Sequence, residues 1–77
     1  MRSFRFRIKE KDTIKATVSS VMTRKILASV YDSGFTTISE IEAELIRKIP
    51  HFEGKEVLIT ITNIDKEESK QYTIKTN

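Results

Sequence analysis

Apolar and polar residues alternate through most of this chain, and in one stretch the alternation gives way to a spacing of three and four. Phe4, Phe6 and Ile8 alternate with Arg5, Arg7 and Lys9, the pattern of a strand with one face on a core and the other in water. Glu10-Lys11-Asp12 interrupts it with three polar residues. Ile14, Ala16 and Val18 then alternate with Lys15, Thr17 and Ser19, which predicts a second strand and a hairpin. If these two strands pair, Arg5, Arg7, Lys9, Lys15 and Thr17 share the outer face.

Residues 20–33 carry two patterns at once. Ile26, Ala28 and Val30 alternate with Leu27, Ser29 and Tyr31, as in a strand that ends at the turn Asp32-Ser33-Gly34. Val18, Met22, Ile26 and Val30 are also spaced by four, as in a helix that Gly34 would terminate. The density of Val, Thr, Ser and Ile lowers helix propensity through 13–30, and this favours the strand.

The helical stretch comes next. Thr37 and Glu40 form a T-x-x-E capping box, in which each side chain satisfies a backbone N–H of the first turn. Ile38, Ile41, Leu45 and Ile49 follow at i, i+3, i+7 and i+11, one stripe of a 3.6-residue period. Glu40, Glu42 and Glu44 precede Arg47 and Lys48, the order the helix dipole favours. Pro50 stops the helix, and Gly54 supplies a loop position free to take positive φ. Beyond it, Val57, Ile59 and Ile61 alternate with Leu58, Thr60 and Thr62, a β-branched strand. Asn63 to Ser69 reads as a polar connecting loop, and Tyr72 and Ile74 alternate with Thr73 and Lys75 in a last strand, expected antiparallel to the one before.

These elements predict an α+β fold in the order β-β-β-α-β-β. Strands are expected near 2–9, 13–20 and 25–31, a helix over 37–49, and strands near 56–62 and 70–76. The helix stripe should cover one face of a five-stranded antiparallel sheet, against Phe4, Phe6, Ile8, Val57, Ile59, Ile61, Tyr72 and Ile74.

Size narrows the picture. Seventy-seven residues form one small domain, 1–77, near the lower limit for a self-sufficient core. There is no cysteine, hence no disulfide or thiolate metal site to compensate, and association with further copies becomes a reasonable way to bury more apolar surface. A composition of 38% hydrophobic and 32% charged residues belongs to a globular chain rather than a disordered one. No apolar run approaches the ~20 residues that span a bilayer. The start lacks the apolar segment of a signal peptide, so a cytoplasmic protein is the expectation.

Charge is unevenly placed. Residues 1–25 carry eight basic and two acidic side chains, and the remainder six basic and nine acidic. A basic end attracts nucleic acid or an acidic protein; the segregation also suits a dimer in which opposite surfaces meet. Enzymatic chemistry finds little support. His51 is the one histidine, and no serine stands in a Gly-x-Ser-x-Gly setting. Glu40 and Glu44 share a helix face without further converging ligands, and Gly34 and Gly54 form no phosphate-cradling loop. No cofactor, metal or small-molecule substrate is expected.

The residues that a nucleic-acid interface would use are Arg5, Arg7, Lys9, Lys15, Arg24 and Lys25, with Tyr31 as an aromatic platform if its side of the strand faces outward. The alternating basic strand and the segment Gly34-Phe35-Thr36-Thr37-Ile38-Ser39-Glu40-Ile41 resemble the ribbon-helix-helix DNA-binding proteins, where a glycine turn and a Ser-Glu pair begin the second helix. That resemblance implies an intertwined dimer with Arg5, Arg7 and Lys9 in the major groove. Separately, a helix leading into Phe52-Glu53-Gly54-Lys55-Glu56-Val57-Leu58-Ile59-Thr60-Ile61 is similar to small accessory proteins of prophages and mobile elements. This implies a compact protein that binds a host macromolecule. The leading expectation is a non-enzymatic module that binds a protein partner or its own copies, through exposed sheet edges that accept a strand. Nucleic-acid binding through the basic strands is the alternative.

Overall fold

The computed structural model describes residues 6–52 and 54–76. Among the described residues, four antiparallel strands and one helix make an α+β unit. They are β1 (Ile14–Ser20), β2 (Ile26–Asp32), α1 (Ile38–Arg47), β3 (Glu56–Asn63) and β4 (Glu68–Lys75), with a 3₁₀ turn at Pro50–Phe52. Spatial order in the sheet is β2-β1-β3-β4. Two hairpins therefore lie side by side, and α1 carries the chain from the outer strand of the first to the inner strand of the second. Among the described residues no helix is long and apolar enough to cross a membrane.

The expected first strand is corrected. Residues 6–9 lie outside the sheet, and residues 2–5 of that expectation, Phe4 and Arg5 among them, fall outside the described residues. Phe6 and Ile8 still pack against the core. Alternation reports that one side of a segment meets a core; it does not report that the backbone finds a strand to pair with. Arg7 and Lys9 are accordingly not on a sheet face beside Lys15. Among the described residues the order is β-β-α-β-β, and residues 13–30, where the ribbon-helix-helix resemblance implies a first helix, hold β1 and most of β2.

The helix follows its sequence signals closely. Thr37 accepts from the Glu40 N–H at 3.3 Å, and Glu40 Oε1 accepts from the N–H groups of Thr36 at 2.7 Å and Thr37 at 3.3 Å. Those two bonds, Thr36 first, hold the Glu40 carboxyl below its usual range. At the other end Lys48 caps, two residues short of Pro50. Ile41 and Leu45 are fully buried and Ile49 nearly so. The helix lies over β1 and β2, and its core also takes in Val57, Ile59 and Ile61, with Phe6, Ile8, Tyr72 and Ile74 packed against it, as the pattern leads one to expect. The small side chain of Ala16, buried between Val30 and Ile61 in the central rows, suits a helix packed close above it.

Both hairpin connections are built from side-chain bonds to backbone. Across Val21–Lys25, Ser20 Oγ accepts from the Thr23 N–H at 3.2 Å and Thr23 Oγ1 from the Lys25 N–H at 3.3 Å, while Arg24 adopts φ 65°. Between β3 and β4 the expected seven-residue loop shrinks to four, Ile64–Glu67. Asn63 Oδ1 accepts from the Lys66 N–H at 3.1 Å, and Glu67 takes φ 54°, so the turn closes on the end of the strand itself.

Candidate interaction surfaces

Because the helix covers one face, the other is left open, and strand register fixes what it presents. Tyr31, Lys15, Thr62 and Ser69 form one cross-strand row. The next row is Ser29, Thr17, Thr60 and Gln71, and the one after it Ile26, Ser19, Leu58 and Thr73. Glu56 and Lys75 face each other at the end. This surface is dominated by hydroxyl and amide groups, some already paired: Gln71 Nε2 donates to Thr60 Oγ1 at 3.1 Å, and the hydroxyls of Thr62 and Ser69 lie 3.2 Å apart. Glu56 is the one acidic member of the rows.

A β-bulge shapes the outer strand. Val18 pairs with Ala28, yet Ser19 pairs with Ile26, which leaves Leu27 unpaired. Such an insertion reverses the facing of everything on one side of it. Leu27 thus packs toward the core, and Ile26, which alternation places with Ala28 and Val30, turns outward and is 65% exposed. Tyr31, on the outer face as the platform reading requires, is 68% exposed.

The basic residues singled out from the sequence separate in space. Lys15 stands on the inner strand β1 in the end row of the open face, directly across from Tyr31. Arg24 lies in the β1–β2 turn and lines a depression of about 160 Å³ with Leu58, Gln71 and Thr73 of that face; Lys25 is exposed beside it. Arg7 and Lys9 are exposed on the segment before β1, where the Arg7 carbonyl accepts from Asn63 Nδ2 at 3.1 Å. Arg5 lies outside the described residues. The structure brings Lys15, Arg24 and Tyr31 to one face and leaves Arg7 and Lys9 off it.

Two further places carry polar chemistry. Asp12 is buried, and its Oδ2 accepts from Lys66 Nζ at 2.8 Å, Asn63 Nδ2 at 2.9 Å and the Lys9 N–H at 3.0 Å. The Lys66 bond foremost, with the other two, holds this carboxyl far below its ordinary range. The bonds from Asn63 and Lys66 tie the segment before β1 to the end of β3 and its turn, while the Lys9 bond closes that segment locally, so the cluster is a structural latch. Elsewhere, a groove between α1 and β4 is lined by Glu42, Ala43, Ile46 and Ile74. There the Tyr72 hydroxyl donates to Glu42 at 2.5 Å. Partial burial and that carboxylate raise the phenol well above its usual range. Glu40 and Glu44 do not converge: the first is committed to the helix cap and the second pairs with Arg47.

Set against family models, curated proteins and solved structures, the chain finds no match in any of the three.

Sequence reasoning missed the outward turn of Ile26 and the part played by Thr60, Gln71 and Thr73. No local signal marks the bulge, and the three polar residues acquire meaning only through strand pairing.

Proposed function

We propose that this chain is a non-enzymatic module that associates through strand addition at the open edge of β2, with a second copy of itself as the partner. The observation that carries this reading is the difference between the two edges of the sheet. Native edge strands are commonly guarded by charged side chains. On β4, Glu68, Lys70 and Lys75 supply that guard. On β2 the one charge is Asp32 at the strand's end, the residues from Ile26 to Tyr31 include no charge and no proline, and both Ile26 and Tyr31 stand largely in water. The bulge disturbs only the first residues of the strand, and Ala28–Asp32 keeps regular register with β1.

Pairing of β2 with the β2 of a second copy adds main-chain hydrogen bonds to both edges. It also removes apolar surface from water in a domain whose own core is small. The likeness to small accessory proteins of prophages and mobile elements accords with a role exercised through contact rather than chemistry.

Sedimentation velocity over a concentration series tests this, on the wild type and on Ser29→Lys, which places a charge in the middle of the exposed edge. The expected outcome is a concentration-dependent dimer for the wild type. The variant should be a monomer, with an unchanged far-ultraviolet circular dichroism spectrum. A wild type that stays monomeric throughout, or a variant that dimerises equally well, overturns the reading.

A further inference from the structure

We infer that the open sheet face is a binding platform for single-stranded nucleic acid, centred on Tyr31 and Lys15. Four observations carry this, none of which depends on pairing at the β2 edge. Tyr31 exposes an aromatic ring on a flat face, and the core does not need it: it sits on the side away from α1 and is 68% exposed. Lys15 is its direct cross-strand neighbour, which places a cation within side-chain reach of a phosphate attached to a base stacked on the ring. Arg24 stands at the far end of the same face, on a residue held at φ 65° by the turn and lining the depression with Leu58, Gln71 and Thr73. Between the two cations run uncharged donors and acceptors, Thr17, Ser29, Thr60 and Gln71.

Charge selects the occupant. Glu56 faces Lys75 across the strands, and among the described residues no acidic side chain stands in the rows from Tyr31 to Leu58. The acidic residues Glu40, Glu42 and Glu44 belong to the helix, on the other side of the sheet. A polyanion is therefore favoured on one face and disfavoured on the other. Shape selects among polyanions. A four-stranded sheet face is wider than the helix or two-stranded ribbon that a duplex major groove admits, whereas unpaired bases present their faces to an exposed ring and their edges to hydroxyl and amide groups.

The test is fluorescence anisotropy with labelled mixed-sequence RNA and DNA of about 15 nucleotides, near the upper end of a single small-domain footprint. The same sequence as a duplex and a poly-glutamate competitor complete the set. Binding of single strands is expected, with a slope of log affinity against log salt near −1.4, the value for two phosphate contacts at about 0.7 each. Tyr31→Ala should weaken it roughly tenfold, and Lys15→Glu combined with Arg24→Glu should abolish it. Titrations run at protein concentrations where sedimentation finds only monomer should show the same binding, which separates this surface from the dimer seam. Preference of RNA over DNA, or the reverse, identifies the source of the strand within the expected result. Absence of binding at low salt overturns the inference, as does equal affinity for duplex. So do unaltered affinities of the Tyr31 and Lys15/Arg24 variants, or equally effective competition by poly-glutamate, which would mean charge without base recognition.

Discussion

Asp12 does more for this fold than its place in a polar break suggests. A buried carboxylate is tolerable only when its lone pairs are occupied, and here one oxygen receives Lys66, Asn63 and the Lys9 backbone together. Asn63 is itself fully buried and spends its remaining oxygen on the β3–β4 turn. The segment before β1, the end of β3 and the following turn are thus held by one carboxylate. Its pKa is depressed in the folded chain, so the folded state binds fewer protons than the unfolded one as acid is added. The associated stability is complete above the unfolded value near 3.8 and is lost as pH falls below it toward the folded value. Thermal melts from about pH 7 down to about pH 2 should show the wild type losing stability from about pH 4 downward. Asp12→Asn should melt lower at neutral pH and converge on the wild type in acid. Parallel curves for the two proteins would mean the latch contributes nothing through its charge.

At the scale of elements, α1 is the part that local rules describe best. Capping box, apolar stripe and proline stop agree with one another, and such agreement across levels marks a segment that folds as its pattern says. Leu45 is fully buried beneath it. Leu45→Ala should cost about 2–5 kcal/mol through lost burial and the cavity left behind, measured by urea denaturation; a midpoint within error of the wild type would remove α1 from the core. β2 is the contrary case. Its composition marks a strand, yet the facing of its first residues depends on a bulge that only β1 imposes. Ile26 is exposed for that reason, and its place on the edge used in the proposed self-association could not be foreseen from alternation.

The whole molecule is two hairpins joined at their inner strands, β1 and β3, with the helix on one face and a polar surface on the other. Inner strands pair on both sides and outer strands on one, so their opening free energies differ. Native-state hydrogen exchange should find the amides of β1 and β3 released only by global unfolding, and the outward amides of β4 released earlier. In the wild type at high concentration, dimerisation through β2 should protect its outward amides, and Ser29→Lys should remove that protection. Equal protection across all four strands would mean the sheet opens only as a unit.

What the sequence determined by itself are the features whose cause is local. These are α1 with its caps, the strand character of β1, β2, β3 and β4 to within two residues, and the positive φ at Gly54. Each follows from neighbours within a few positions, through capping, periodicity or steric exclusion. Tertiary structure decided the rest. It left Phe6–Lys9 unpaired, although that segment alternates as regularly as β1, because alternation records burial and only a partner strand makes a ladder. It placed β1 beside β3 and laid α1 over β1 and β2. It also joined Asp12 to Asn63 across 51 positions. Lys15, Arg24 and Tyr31 came to share one face through pairing register, which is a property of two strands at once and is therefore absent from either read alone.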